Sequence, residues 1–128
     1  VEIIQFGGTK EEQTELAELV LNSEKKATSS LKILQDLGLT KESRVGDMWS
    51  ICDGEGIELC RTVVEKVEIR LFGQVDEAFA ILEGDGSFIN WYEIHFNYYK
   101  MLLERHGLEL TNETELECVC FRRINSKK

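Results

Sequence analysis

A chain of 128 residues, with 42% apolar and 30% charged side chains, is long enough to bury a core without disulfide or metal staples. It contains no proline, so no proline-rich linker divides it, and one domain over residues 1–128 is expected, with its core from about 15 to 124. The formal net charge of −9 opposes a phosphate backbone, which excludes tight non-specific RNA or DNA binding and leaves a small nucleoside or a local basic pocket as options.

In chain order, residues 1–8 read as an N-terminal arm ending in two glycines. Thr9 and Glu12 have the spacing of a capping box, predicting a helix from there to about Asn22 with Leu16, Leu19 and Val20 on its buried stripe. Glu24 to Ser30 reads as a turn leaving that helix. Leu31, Ile33, Leu34 and Leu37 predict a short helix stopped by Gly38. Val45-Gly46-Asp47 turns the chain into a hairpin, Met48 to Asp53 and Ile57 to Val64, across the glycine-rich turn at 53–56. That turn lacks the remaining acidic ligands of a calcium loop. Alternating Val67, Ile69 and Leu71 predict a further half-buried strand. Residues 75–83 read as a short helical turn, about Ile89 to Arg105 as a longer helix closed by Gly107, and Leu116 to Ile124 as a last strand. Helices and strands do not alternate regularly, so the order suits an α+β fold: a small curved sheet or barrel with helices packed at its rim.

The four cysteines form no Cys-x-x-Cys pair, and neither histidine has metal-site spacing to them. Buried thiols are expected, with no metal or other cofactor. Reduced thiols and the lack of a signal-like segment point to the cytoplasm. No apolar run approaches the roughly 18 residues that a membrane span needs. Oligomeric state has no signature in the sequence.

The stretch Glu24-Lys25-Lys26-Ala27-Thr28-Ser29-Ser30 draws most attention. Taken alone, Lys25 and Lys26 are cations after a helix C-terminus, where they are favoured. Thr28, Ser29 and Ser30 suit an N-cap of the next helix. Glu83 is one acid among 24, distinguished only by the glycine loop that follows it. Trp91 and His95 lie four apart on one helix face, a spacing that more often packs than binds. They could also stack on a nucleobase. Trp49 is expected in the core, and His106 at a helix C-terminus.

Taken together, these residues resemble the ASCH-domain family. The ordered series is Lys25-Lys26-Ala27-Thr28-Ser29-Ser30, Val45-Gly46-Asp47, Asp53-Gly54-Glu55-Gly56, Val75-Asp76-Glu77 with Phe79-Ala80, then Glu83-Gly84 with Gly86, Trp91 and His95. The resemblance implies a PUA-like pseudo-barrel with a cleft between the segment bearing Lys25 and the short helix bearing Glu83. It also implies binding of RNA or a small nucleoside, or a coactivator-type role. One branch contains amidohydrolases acting on 4-acetylcytidine, and another is described as ribonuclease-like. Lys25, Thr28 and Glu83 match the Lys, Thr and Glu of the amidohydrolase branch and are thereby implied to be catalytic. Lys26, Ser29, Ser30, Trp91 and His95 are implied to line the ligand site. A threonine hydroxyl becomes nucleophilic when a neighbouring base, such as a lysine left neutral by burial, takes its proton. A carboxylate beside it could orient water or protonate a leaving amine. The chain departs from that branch at Ser23, where the branch has glycine, and at Ser29 and Ser30, where it has an arginine. A non-catalytic protein-interaction module and a weak ribonuclease are the alternatives.

Overall fold

The computed structural model describes residues 1–124. Its elements, in order, are β1 (Glu2–Ile4), α1 (Lys10–Leu21), β2 (Ala27–Leu31), α2 (Lys32–Asp36), β3 (Met48–Cys52), β4 (Glu58–Leu71), α3 (Glu77–Leu82), α4 (Phe88–Glu104) and β5 (Glu115–Ile124), with a 3-10 turn at Phe72–Gln74. Among the described residues the strands form a five-stranded sheet in the order β1-β3-β4-β5-β2. Only the β1–β3 pairing is parallel. The sheet curls into a half-barrel with helices against it, the α+β class expected.

Local chemistry sets most of the boundaries. Thr9 caps α1 and Glu12 returns a hydrogen bond to the Thr9 amide, completing the predicted box. Asp76 and Ser87 cap α3 and α4 through their side chains, which accept from the amides of Phe79 and Asn90. Asp53 organises the β3–β4 turn by accepting from the amides of Glu55 and Ile57, both at 2.9 Å. A Cβ at Gly54 would lie 2.2 Å from the Lys10 carbonyl, so glycine lets this turn dock on the start of α1.

Three expectations need correction. The supposed N-terminal arm contains β1, which pairs with β3 through Glu2–Trp49 and Ile4–Ile51. The two strands predicted over 57–71 are one 14-residue strand, β4, whose register against β5 shifts between Val64 and Lys66. Glu65 is thus a bulge that bends the strand without ending it. The stretch 27–31 is neither a turn nor an N-cap: it is β2, paired antiparallel with β5 from Ala27–Cys120 to Leu31–Leu116. Leu31, assigned from sequence to the next helix, ends this strand.

Side chains directly opposed on neighbouring strands share a face, so the registers sort the sheet into two cores. On one face Ala27, Leu31, Leu116 and Cys118 pack under Phe79, Trp91, Tyr99 and Leu103 of α3 and α4. On the other, Trp49, Ile51, Val64, Val119 and Phe121 pack with Phe6 and with Ala17 and Val20 of α1.

Candidate functional site

The end of α1 aims the first site residue. Asn22 caps the helix, and Ser23 takes the left-handed conformation at φ 61°, the position where glycine is usual. The amides of Glu24 and Lys25 then donate to the Leu19 carbonyl at 2.8 and 3.0 Å, folding the chain back on itself. The Lys26 amide donates to the Leu82 carbonyl at 2.6 Å, fastening this segment to α3. Glu83 is the C-cap of α3. Gly84 follows at φ +94°, and a Cβ there would press within 3.3 Å of the Lys25 and Leu19 side chains. Glycine at 84 therefore permits the turn and the close approach together.

Glu83 and Lys25 are both buried, at 2% and 4% exposure. The Lys25 ammonium donates to Glu83 Oε1 at 3.4 Å and to the Glu83 carbonyl at 3.1 Å. Oε2 accepts from the Ser29 hydroxyl at 2.7 Å and the Trp91 indole N–H at 2.6 Å. His95 Nε2 lies 3.5 Å from the same oxygen. Burial pushes the Glu83 carboxyl up, but Lys25, His95 and Trp91 outweigh it and hold the group down at about 2. His95 Nδ1 lies 2.9 Å from the Trp91 carbonyl, which can only accept, while Nε2 faces an ionised carboxylate. Both ring nitrogens thus face acceptors, an arrangement that favours the imidazolium. Burial lowers its proton affinity, yet the bond to Glu83 prevails and the net shift is upward.

The network extends past these groups. The Tyr99 hydroxyl donates to Ser29 Oγ at 2.7 Å, and burial raises its own proton affinity well above normal. Asp85 lies 3.7 Å from His95 Nδ1, its Oδ2 buried without a hydrogen bond, and burial raises its carboxyl. Lys25 Nζ sits 5.1 Å from the centre of the Phe6 ring. His95 and Asp85, with side chains 13% and 12% exposed, and the half-buried Ser29 are where solvent reaches the cluster.

Of the residues implied by the sequence, the structure brings Lys25, Ser29, Glu83, Trp91 and His95 together. Thr28 pairs with Val119, so strand alternation directs it to the opposite face from Ser29, and it makes no side-chain hydrogen bond among the described residues. Ser30 accepts a long 3.4 Å bond from Gln35. Lys26 is exposed and contributes through its backbone. Trp91 is completely buried, stacked on His95 at 4.4 Å, so it holds Glu83 and His95 and offers no free face to a ligand. Trp49 is in the core as expected. Sequence reasoning missed Tyr99, Asp85 and Phe6. Tyr99 was within reach, since Trp91, His95 and Tyr99 continue one i, i+4, i+8 stripe. Among the described residues no group of three or more His, Cys, Asp or Glu could hold a metal ion, and no helix is long and apolar enough to cross a membrane. The cysteines are free thiols, with Cys118 pushed up to about 12 by burial.

The family model described as ASCH domain matches residues 2–125. The chain belongs to the ASCH-domain family. Its PUA-like α+β fold recurs in the crystal structure of an ASCH domain from Lactobacillus crispatus, at a TM-score of 0.90 and 25% identity over 95% of this chain and 78% of that one. A crystal structure of a protein from Enterococcus faecalis is similar at a TM-score of 0.88 and 28% identity, over 97% and 76% of the two chains. No curated protein sequence matches this chain.

Proposed function

We propose that this ASCH domain recognises RNA or a modified nucleoside in a small cleft over Lys25, Ser29, Glu83 and His95. Hydrolysis of an acylated nucleoside is the enzymatic form of that activity. The observation that carries the reading is the buried Glu83 carboxylate, which gathers Lys25, Ser29, Trp91 and His95 around it. Buried charge costs stability, and perturbed ionisable groups concentrate at functional sites. Two cations and two carboxylates cancel in charge, which suits a neutral base better than a phosphate backbone.

The arrangement supports a division of roles in that hydrolysis. A carboxylate held at about 2 stays ionised at neutral pH, so Glu83 accepts a proton and cannot supply one to the leaving amine. Water adds to the acyl carbon and passes its proton to Glu83; where a hydroxyl of β2 attacks first, the acyl ester it forms is cleaved by water in a second addition of the same kind, which frees the hydroxyl. The C–N bond then breaks, and the departing amine takes its proton from the His95 imidazolium. Lys25 supplies the positive charge for the acyl oxygen. Thr28, the nucleophile implied by the family resemblance, faces away from Glu83 across β2, so Ser29, already bonded to Glu83, is the hydroxyl within its reach. The cytoplasm, where four free thiols stay reduced, suits this role.

The test is a panel of modified nucleosides, 4-acetylcytidine included, together with short oligoribonucleotides, assayed for turnover and for binding. Wild type is expected to act on or bind at least one of them. Lys25→Ala and Glu83→Gln should abolish turnover, and Ser29→Ala and Thr28→Ala should show which hydroxyl serves. Turnover or binding that survives both Lys25→Ala and Glu83→Gln, in variants shown to be folded, would overturn the cleft.

A further inference from the structure

We propose that a second site, a groove at the opposite end of β2 from Lys25, binds a short basic peptide segment through an apolar anchor side chain. The groove forms where the end of β4, the start of β5, α2 and the chain leaving α4 meet, an open depression of about 460 Å³. It shares no residue with the Lys25–Glu83 cluster. Its floor is aliphatic: Ile33, Leu71, Leu103 and Leu108. Its rim is acidic: Asp36, Glu109, Glu113 and Glu115, with no cationic residue in the lining.

Charge complementarity identifies the occupant. Asp36 is paired with Lys32, but Glu109, Glu113 and Glu115 make no ion pair among the described residues. All three are exposed; Lys32 partly offsets Glu115, and the charges of Glu109 and Glu113 are available at the rim. α4, a helix of 17 residues, ends beside the groove with no basic residue in its last turn, adding the negative end of its dipole. Arg105, at the helix end, turns back to the Met101 sulfur at 3.7 Å. A cation is thus favoured at the rim and a nucleic acid is repelled.

The floor narrows the choice further. Four branched aliphatic side chains accept a leucine- or isoleucine-sized group. Leu108 retains 36% exposure, leaving apolar surface for an incoming side chain. A volume of this size falls within the roughly 300–1,000 Å³ of small-ligand pockets, so the occupant is a short segment and not the flat face of a domain. Lysine or arginine on either side of the anchor would meet the rim while their methylenes lie along the walls.

The experiment uses the capped peptide Lys-Leu-Arg-Leu-Lys and its serine counterpart Lys-Ser-Arg-Ser-Lys, with binding followed by fluorescence anisotropy and mapped by amide chemical shifts. The leucine peptide should bind more tightly than the serine peptide and perturb residues around 33–36 and 103–115. Glu113→Gln with Glu115→Gln should weaken it roughly three- to tenfold, the worth of two rim charge contacts. Leu108→Ser should weaken it with little change in salt dependence. Both substitutions lie at exposed positions, and thermal unfolding verifies that the variants fold. Equal binding of the two peptides would show a merely acidic surface and overturn the proposal. So would shifts confined to other parts of the protein, or affinity unchanged by all of these substitutions.

Discussion

Glu83 keeps its charge inside the protein because its neighbours make it cheaper to be ionised than neutral. The cations depend on it in turn. Lys25 and His95 are mostly enclosed, and removal of the carboxylate leaves Lys25 without its ionic partner and His95 with Asp85 alone. Breaking a buried pair from one side costs about 3–5 kcal/mol, so Glu83→Gln should lower the urea-unfolding free energy by about that much. Lys25→Met added to Glu83→Gln should cost less than the sum of the two singles, because the orphaned ammonium is then gone. The cluster also predicts the shape of stability against pH. The contribution of Glu83 is fully present above its ordinary value of 4.5 and is lost as pH falls toward about 2. That of His95 is fully present below its ordinary 6.5 and is lost as pH rises through its elevated folded value. Asp85 works in the opposite sense to Glu83: its carboxyl is raised by burial, so its contribution grows as pH falls. The cluster is therefore most stabilising between about pH 4.5 and 6.5. His95→Gln should flatten the decline on the alkaline side in unfolding curves taken at a series of pH values. An identical alkaline decline in wild type and variant would refute the charged imidazole.

Among the elements, the helices and the hairpin were legible because their signals are local: the Thr9–Glu12 box and the turn at 53–56. The alternation of Val67, Ile69 and Leu71 marked strand but not burial, since Ile69 is 45% exposed. β2 was not. Thr28-Ser29-Ser30 has the composition of a turn, and only pairing with β5, some ninety residues further along the chain, makes it a strand. The same pairing decides which hydroxyl meets Glu83, so the family resemblance brought Lys25 and Glu83 together while Ser29 and Thr28 could not be told apart. Ser23 is the element-scale feature most open to test. A serine at φ 61° incurs the left-handed penalty of roughly 1–2 kcal/mol, offset by the greater freedom of glycine in the unfolded chain. Ser23→Gly, the residue that the amidohydrolase branch has here, should thus raise stability by about 0.5–1 kcal/mol and leave the Lys25–Glu83 pair in place. A lower melting temperature would mean that the Ser23 side chain contributes an interaction outweighing the strain.

At the scale of the molecule, the ionic cluster joins the two cores that the sheet keeps apart. Glu83 is bonded to Ser29 and Trp91 among the α3–α4 layer, while Lys25 lies over Phe6 of the α1 layer. A charged seam set between packed layers has few lysines near it, and the surface around it carries a formal −9. This limits how RNA could be held. A protein that tracks a strand neutralises many phosphates, and for single strands log K falls with log salt at about −0.7 per phosphate contacted. Recognition of one base in a neutral cleft, with Lys26 as the exposed lysine beside it, engages one or two phosphates at most. The expected slope for a short oligoribonucleotide is then roughly −1. It should also stay near that value as the oligonucleotide is lengthened, because added phosphates meet an acidic surface. Titrations at several salt concentrations and two or three lengths would measure it. A slope steeper than about −4, the signature of six or more contacts, would show a track along the surface and remove the reason for placing recognition at Glu83.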